Sequence, residues 1–243
     1  MGVAVEIAVQ DATGVRIALA EGADRVELCT ALAMGGLTPS AALVAAAVEE
    51  ARREQRAGFV HVLVRPRGGG FVYDAAEVAL TVADIRFACA AGAAGVVVGA
   101  LDEFGTVDGE AMRRFVDAAE GVPVTFHRAF DIVTDRAAAL EELVALGVDR
   151  VLTSGGASRT IDGVPVLRAL AQRAAGRIEV MAGGGVRTDE IPAIASTGAD
   201  AVHLSARDSV VGAPSGPGGG DAHYDITDAA TVAEAVAVAR LAR

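Results

Sequence analysis

The sequence predicts an α/β protein, a single (βα)8 TIM barrel over residues 1–243, on three observations. Apolar strand-like runs alternate with helix-like runs eight times, the size and order of a closed barrel of parallel strands. A short phrase recurs as Gly22-Ala23-Asp24-Arg25-Val26, Gly92-Ala93-Ala94-Gly95-Val96, Gly147-Val148-Asp149-Arg150-Val151 and Gly198-Ala199-Asp200-Ala201-Val202. Its spacing of ~50–70 residues matches two βα units per copy. Finally, 243 residues with 52% hydrophobic content suffice for one large core and are short for two ordinary domains.

The strands follow in order: Val3–Val9, Arg25–Thr30, Phe59–Pro66, Gly95–Leu101, Val122–Ala129, Arg150–Ser154, Ile178–Ala182 and Ala201–Ala206. Helical patterns follow each, roughly over 12–21, 40–55, 75–91, 109–119, 136–146, 161–175, 188–196 and 227–241. Ser40, Asp74 and Asp108 stand where N-caps belong. Glycine in each copy of the repeat terminates a helix by accepting a left-handed backbone. A doubly wound open sheet competes with this reading. It carries a glycine-rich phosphate turn after its first strand, whereas here that turn reads Val9-Gln10-Asp11-Ala12.

Loop lengths locate the functional end. The helix-to-strand turns are tight (Glu21–Asp24, Leu146–Asp149). The strand-to-helix loops Ala31–Pro39, Arg67–Asp74 and Asp208–Asp225 are long. Barrel active sites lie on that C-terminal side. The last loop, with Pro214-Ser215-Gly216-Pro217-Gly218-Gly219-Gly220, reads as a lid or a flexible connector.

Strand side chains alternate between the barrel interior and the helix layer. Placing the apolar set outward leaves Glu6 and Ala8, Glu27 and Cys29, His61, Leu63 and Arg65, Thr125 and His127, and His203 and Ser205 pointing inward. Buried charges must be paired or bind something. Glu6, Glu27, Arg65 and His127 are therefore candidate catalytic residues lining the mouth, against the alternative of an internal salt-bridge network. At the rim, Gly184, Gly185, Arg187, Ser205 and Arg207 form a candidate anion site just beyond strands seven and eight. The alternative there is surface pairing of the arginines with acids such as Asp189 and Asp208.

Composition excludes several functions. All 21 basic residues are Arg, so lysine Schiff-base chemistry is excluded. A net charge of −11 without a basic cluster argues against nucleic acid. Only two cysteines, Cys29 and Cys89, leave no disulfide framework. No apolar run of about 18 residues marks a membrane span. Met1 to Val9 carries Glu6 and no basic lead, unlike a signal peptide, so a soluble cytoplasmic protein is expected.

Several longer phrases resemble the CutC family of copper homeostasis proteins over nearly the whole chain. They are Gly22-Ala23-Asp24-Arg25-Val26-Glu27-Leu28-Cys29, Gly35-Gly36-Leu37-Thr38-Pro39-Ser40, Val64-Arg65-Pro66-Arg67-Gly68-Gly69, Thr125-Phe126-His127-Arg128-Ala129-Phe130-Asp131, Leu152-Thr153-Ser154-Gly155-Gly156 and Gly183-Gly184-Gly185. The resemblance implies a TIM barrel, a cytoplasmic location, a homo-oligomer (dimer or tetramer) and a role in copper tolerance or Cu(I) binding, with Cys29 as metal ligand. One departure weakens the metal site. Family members often carry Glu-Val-Cys-Val-Asp in the first strand, where this chain has Glu6-Ile7-Ala8-Val9-Gln10. Cu(I) prefers soft ligands, and one thiolate is a poor substitute for two.

Two functions follow. One is Cu(I) handling through Cys29, with Met34 or a partner subunit. The other is an enzyme acting on a small anionic or phosphorylated metabolite. There, Glu27 or His127 serves as general acid or base, and Arg65, Arg67 and the glycine rim hold the anion. A metal-dependent hydrolase is weaker, because the histidines fall one per strand without a His-x-His or His-Glu-x-x-His pattern.

Overall fold

The computed structural model describes residues 2–213, 216–217 and 222–242. Eight strands, β1 (Ala4–Val9), β2 (Arg25–Leu28), β3 (Val60–Leu63), β4 (Gly95–Val98), β5 (Val124–Phe126), β6 (Arg150–Thr153), β7 (Glu179–Gly183) and β8 (Ala201–Leu204), close into one barrel in sequence order. All neighbours are parallel. Closure is made by β1 against β8, with Glu6 opposite His203. The helices α1 (Ala12–Ala20), α2 (Ala41–Arg53), α3 (Ala75–Ala90), α4 (Gly109–Ala119), α5 (Arg136–Ala145), α6 (Val164–Ala174), α7 (Ile191–Ala195) and α8 (Ala229–Leu241) follow their strands. Carboxylates or hydroxyls of Asp11, Ser40, Asp74, Asp108, Asp135 and Asp228 cap helix N-termini, satisfying amides that have no intrahelical acceptor. No helix among the described residues is long and apolar enough to cross a membrane.

The repeated phrase is a clamp at the bottom of the barrel. Its glycine takes the left-handed backbone, with φ between 77° and 94° at Gly22, Gly92, Gly147 and Gly198. The aspartate two residues on grips the preceding strand twice. The Asp24 amide donates to the Val5 carbonyl, and its carboxylate accepts the Val5 amide at 2.8 Å. Asp149 treats Val124 the same way, and Asp200 treats Val180 the same way. Ala94, the departing copy, keeps only the backbone half, its amide donating to Val60. The repeat thus ties each even strand to the odd strand before it.

The helix-facing residues Val5, Ile7, Val9, Val26, Leu28, Val60, Val62, Val124, Phe126, Val202 and Leu204 are buried in one continuous apolar layer. Inside the barrel two small apolar clusters form among the described residues, Cys29–Leu63–Val97 and Leu152–Met181–Ala201. Besides Ala8 and the inward glycines, other interior side chains, such as Glu6, Glu27, His61 and Thr125, are polar.

One expectation is corrected. The segment 208–225 is not merely a connector. β9 (Arg207–Val211) and β10 (His223–Thr227) pair as an antiparallel hairpin between β8 and α8. Gln10 donates to the Asp225 carbonyl and so fixes the hairpin beside the end of β1. Residues 214–215 and 218–221 of the glycine- and proline-rich stretch lie outside the described residues.

Candidate active site at the barrel mouth

Three histidines enter the barrel, and each ring lies over an inward glycine of an adjacent strand. His61 faces Gly95, His127 faces Gly99 and His203 faces Gly183; a Cβ at Gly95 or Gly99 would collide with the ring, and one at Gly183 would collide with Leu152 and His203 Cβ. Registers His61↔Gly95 and Gly183↔His203 set two of the pairs directly. Small residues thus reserve the volume that imidazoles occupy in a close-packed interior.

The lower interior is an ion-pair network. Glu6 is fully buried and accepts from Arg25 Nε at 2.6 Å and His203 Nδ1 at 2.8 Å. Arg25 lies 3.9 Å from Glu179, which also receives Arg150 Nε at 2.6 Å; Arg150 then donates to the Thr125 hydroxyl at 3.0 Å. Burial would raise the Glu6 pKa, but the His203 hydrogen bond and the Arg25 charge hold the carboxyl well below its usual range. Glu6 therefore sits beneath the mouth as a permanent anion and does not line the cavity there.

Above this network lies a cavity of about 100 Å³, lined by Glu27, Gly35, Leu63, Arg65, Phe71, His127, Arg128, Leu152 and His203. Burial pushes Glu27 up to about 7, opposed by His203 and reinforced by Glu6. Burial alone would lower the His203 pKa, but the Glu27 and Glu6 charges outweigh it and raise it. His203 Nε2 stands 4.0 Å from Glu27 while its Nδ1 meets Glu6, so the imidazole lies between the two carboxylates.

His127 is different. Its Nδ1 accepts the Ala129 amide at 3.2 Å, which places the ring hydrogen on Nε2. That Nε2 is buried without a partner. Burial, then the Arg65 charge, pushes its pKa down to about 3. A pKa pushed this low favours the neutral ring, with Nδ1 accepting and Nε2 carrying the hydrogen. Phe71 packs against it at 4.7 Å and lies under the Arg65 guanidinium at 5.1 Å.

Arg65 is held by backbone alone. Its Nη1 donates to the carbonyls of Met34 and Gly36 at 3.1 Å, and Nη2 to Gly69 at 2.8 Å; Nε is buried without a partner. Among the described residues no carboxylate pairs with it, although only 7% of the residue is exposed. The loop phrases around Gly35–Ser40 and Val64–Gly69 meet here, since the Thr38 hydroxyl bridges the Arg65 amide and carbonyl. Two other phrases meet through Asp131. Its carboxylate receives the Thr153 hydroxyl, the Ser154 and Gly156 amides and Arg128 Nε, the last at 2.7 Å. Arg128 is thereby oriented at the cavity edge.

The other expected residues fall elsewhere. Arg187, Ser205 and Arg207 share a separate open cleft of about 520 Å³ with Asp189 and Glu234. Gly184 and Gly185 do not line it; Gly184 abuts Arg128, and its carbonyl accepts from Thr160. Arg187 pairs with Asp189 at 3.1 Å and Arg207 with Asp225 at 3.0 Å, so both cations have local carboxylates. The expected five-residue set is therefore divided between two places. Cys29 is fully buried, donates to the Val9 carbonyl at 3.5 Å and packs on Leu63 and Val97. Burial, and then Glu27, push its thiol far above the usual range.

This donor set does not fit Cu(I). Burial favours the protonated thiol, the apolar cluster around it holds no second sulfur among the described residues, and Met34 is 59% exposed on its loop. Among the described residues the one group able to surround a cation is Glu6, Glu27 and His203, with donors within 4.8 Å of one another. Those are hard oxygens and an imidazole, and Arg25 already balances Glu6.

Residue-by-residue reading of the sequence missed Arg25, Phe71, Arg128, Arg150, Glu179 and Met181 in the interior. Arg25 and Arg150 had a visible signal. Both occupy the same place in the repeat, Asp-Arg-Val, and Arg25 shares the parity of Glu27. Phe71 and Arg128 come from loops, where no alternation exists to follow.

Comparison with known proteins agrees with this architecture. The CutC family model matches residues 3–208. A family protein CutC of Xanthomonas axonopodis pv. citri is 42% identical over 235 residues, covering 94% of this chain and 95% of that protein. The human copper homeostasis protein cutC homolog is 44% identical over 187 residues, 76% of this chain and 67% of that one. The crystal structure of CutC from Streptococcus agalactiae superposes with a TM-score of 0.78 at 32% identity, covering 84% of this chain and 98% of that chain. Thiamine phosphate pyrophosphorylase from Pyrococcus furiosus, at 16% identity and a TM-score of 0.63, shares the fold alone. By family model, sequence identity and superposition together, the chain belongs to the CutC copper homeostasis family.

Proposed function

We propose that this chain is an enzyme that binds a small anionic metabolite at the barrel mouth and acts on it by acid–base chemistry. The observation that carries this is the buried Arg65 guanidinium, which has carbonyl partners but no carboxylate and faces the cavity that holds Glu27. An uncompensated buried cation favours an anion. Glu27, near 7, is available in both protonation states at neutral pH, as a general acid or base requires. Arg128 adds a second cation at the edge. The copper role in the names of the relatives finds no soft-ligand site among the described residues.

Thermal denaturation with inorganic phosphate, acetate, pyruvate and oxalate tests the reading. A saturable rise in melting temperature is expected with at least one of them. Arg128→Ala should weaken it, and Arg65→Met should abolish it. Absence of any saturable shift would end the proposal. Competition against a Cu(I) chelator supplies the contrast: tight Cu(I) binding lost in Cys29→Ala would restore the metal-handling role, whereas weak binding indifferent to that change supports the enzyme.

A further inference from the structure

Two buried donors in the mouth lack acceptors, and both belong to residues lining the same small cavity: His127 Nε2 and Arg65 Nε. A buried donor without a partner is costly, so it is uncommon unless something else satisfies it. The remaining contacts of each side chain hold it in place. The Ala129 amide fixes the His127 tautomer, and three loop carbonyls hold the Arg65 fork. Gly99 makes room for the His127 ring and Phe71 packs on it. Both side chains are thus fixed before any ligand arrives, the condition under which hydrogen bonds stabilise charge that develops during reaction. Glu27 lines the same cavity, with His203 and Glu6 behind it.

We propose that the mouth removes a proton from the carbon next to the carbonyl of a short 2-oxo acid, with Glu27 as base, His127 Nε2–H on the carbonyl oxygen and Arg65 opposite the carboxylate. This rests on the acid–base reading above and names its substrate class and step. The C–H bond breaks and its proton passes to the Glu27 carboxylate. The electron pair becomes the C=C bond of an enolate, and the carbonyl π pair moves onto the oxygen held by His127. Return of the proton regenerates the keto acid, so no co-reactant is consumed. A neutral imidazole suits this role, because its N–H donates to the growing oxyanion without protonating it. Cavity size limits the substrate. About 100 Å³ holds roughly three waters' share of liquid volume, enough for the reacting end of a three- to four-carbon acid.

The test uses pyruvate in D2O, with proton NMR following loss of the methyl signal, and oxalate as a planar stand-in for the enolate. Wild type should exchange the methyl protons faster than buffer. Glu27→Gln should slow exchange ~100-fold or more, the usual scale for a general base. His127→Ala should slow it by a similar factor, on the order of 100-fold, and His127→Gln, which keeps an N–H, should recover part of the loss. Oxalate should move the His127 Nε2–H resonance downfield in wild type, a readout that needs no turnover and no variant. If oxalate binds but that resonance stays put, or pyruvate does not exchange, this proposal falls while the anion-binding enzyme stands. If no anion binds at the mouth, both fall.

Discussion

The two halves of the barrel interior are built from the same residue types and end in opposite states. In the lower half, Glu6, Arg25, Glu179, Arg150 and Thr125 form a closed chain of contacts in which each carboxylate meets a guanidinium. In the upper half, among the described residues, Arg65 has no carboxylate, His127 Nε2 has no acceptor and Glu27 has only His203, 4.0 Å away. A barrel interior can bury charge either by pairing it, which stabilises the fold, or by leaving it incomplete, which makes a site. Glu6 joins the halves, with one oxygen on Arg25 and the other on His203. The structural network thus fixes the imidazole that backs Glu27.

Breaking the lower network should give the largest effect on stability. Arg25→Leu leaves Glu6 with His203 and Glu179 with Arg150, and removing one partner of a buried pair costs about 3–5 kcal/mol. Denaturant unfolding measures it, and combining Arg25→Leu with Glu6→Gln should recover part of the loss. A cost below about 1 kcal/mol would mean that the lower half is not the closed network described.

The upper half should show the reverse sign. Glu27 has a folded pKa raised to about 7 from 4.5. Such a group stabilises the fold fully below its unfolded value and loses that contribution as pH rises through about 7. His203, also raised, acts in the same direction. Glu6 is depressed, so its contribution is present above the unfolded carboxylate value and is lost only as pH falls below the usual carboxylate range. Glu27→Gln should therefore leave stability at pH 5 nearly unchanged and raise it at pH 8 by at most ~3 kcal/mol, the scale of the shift. Unfolding curves at the two pH values check this. No difference between them would place Glu27 in a paired environment like that of Glu6.

Gly99→Ala sharpens the comparison at one position. The added Cβ meets the His127 ring, and overpacking of this kind costs about 1–3 kcal/mol. Its mark should be a displaced His127 resonance together with lost anion binding. Destabilisation without either change would make the ring's position irrelevant to the site. The smallest effect belongs to the rim cleft. Arg187→Ala breaks an exposed pair with Asp189 and should cost less than about 1 kcal/mol. It should also leave anion binding at the mouth intact; loss of binding would move the site to the cleft beside β8.

Much of this was legible in the sequence. The order of βα units, the capped helices and the inward set from Glu6 to His203 all follow from local rules, because periodicity and capping act within a few residues. The hairpin of β9 and β10 escaped, because its two strands are separated by a glycine- and proline-rich stretch that breaks the alternation. The division of the expected anion set escaped for a related reason. Nothing in chain order says that Arg187 finds Asp189 and Arg207 finds Asp225 while Gly184 turns toward Arg128.

The sequence alone determined which side of each strand faces inward, since side-chain direction alternates with a period of two residues whatever the neighbours are. Depth within the barrel was decided only by the tertiary structure. Parity places Glu6, Glu27, Arg65 and His127 in one interior. Register sets Glu6 level with Arg25 and His203, and Glu27 one layer higher, level with Ala8. A shift of two residues along a strand preserves parity but moves a side chain by roughly 7 Å. That distance separates a carboxylate locked to arginine from one facing the cavity, and only the hydrogen bonds between strands and the closure of β1 on β8 fix it.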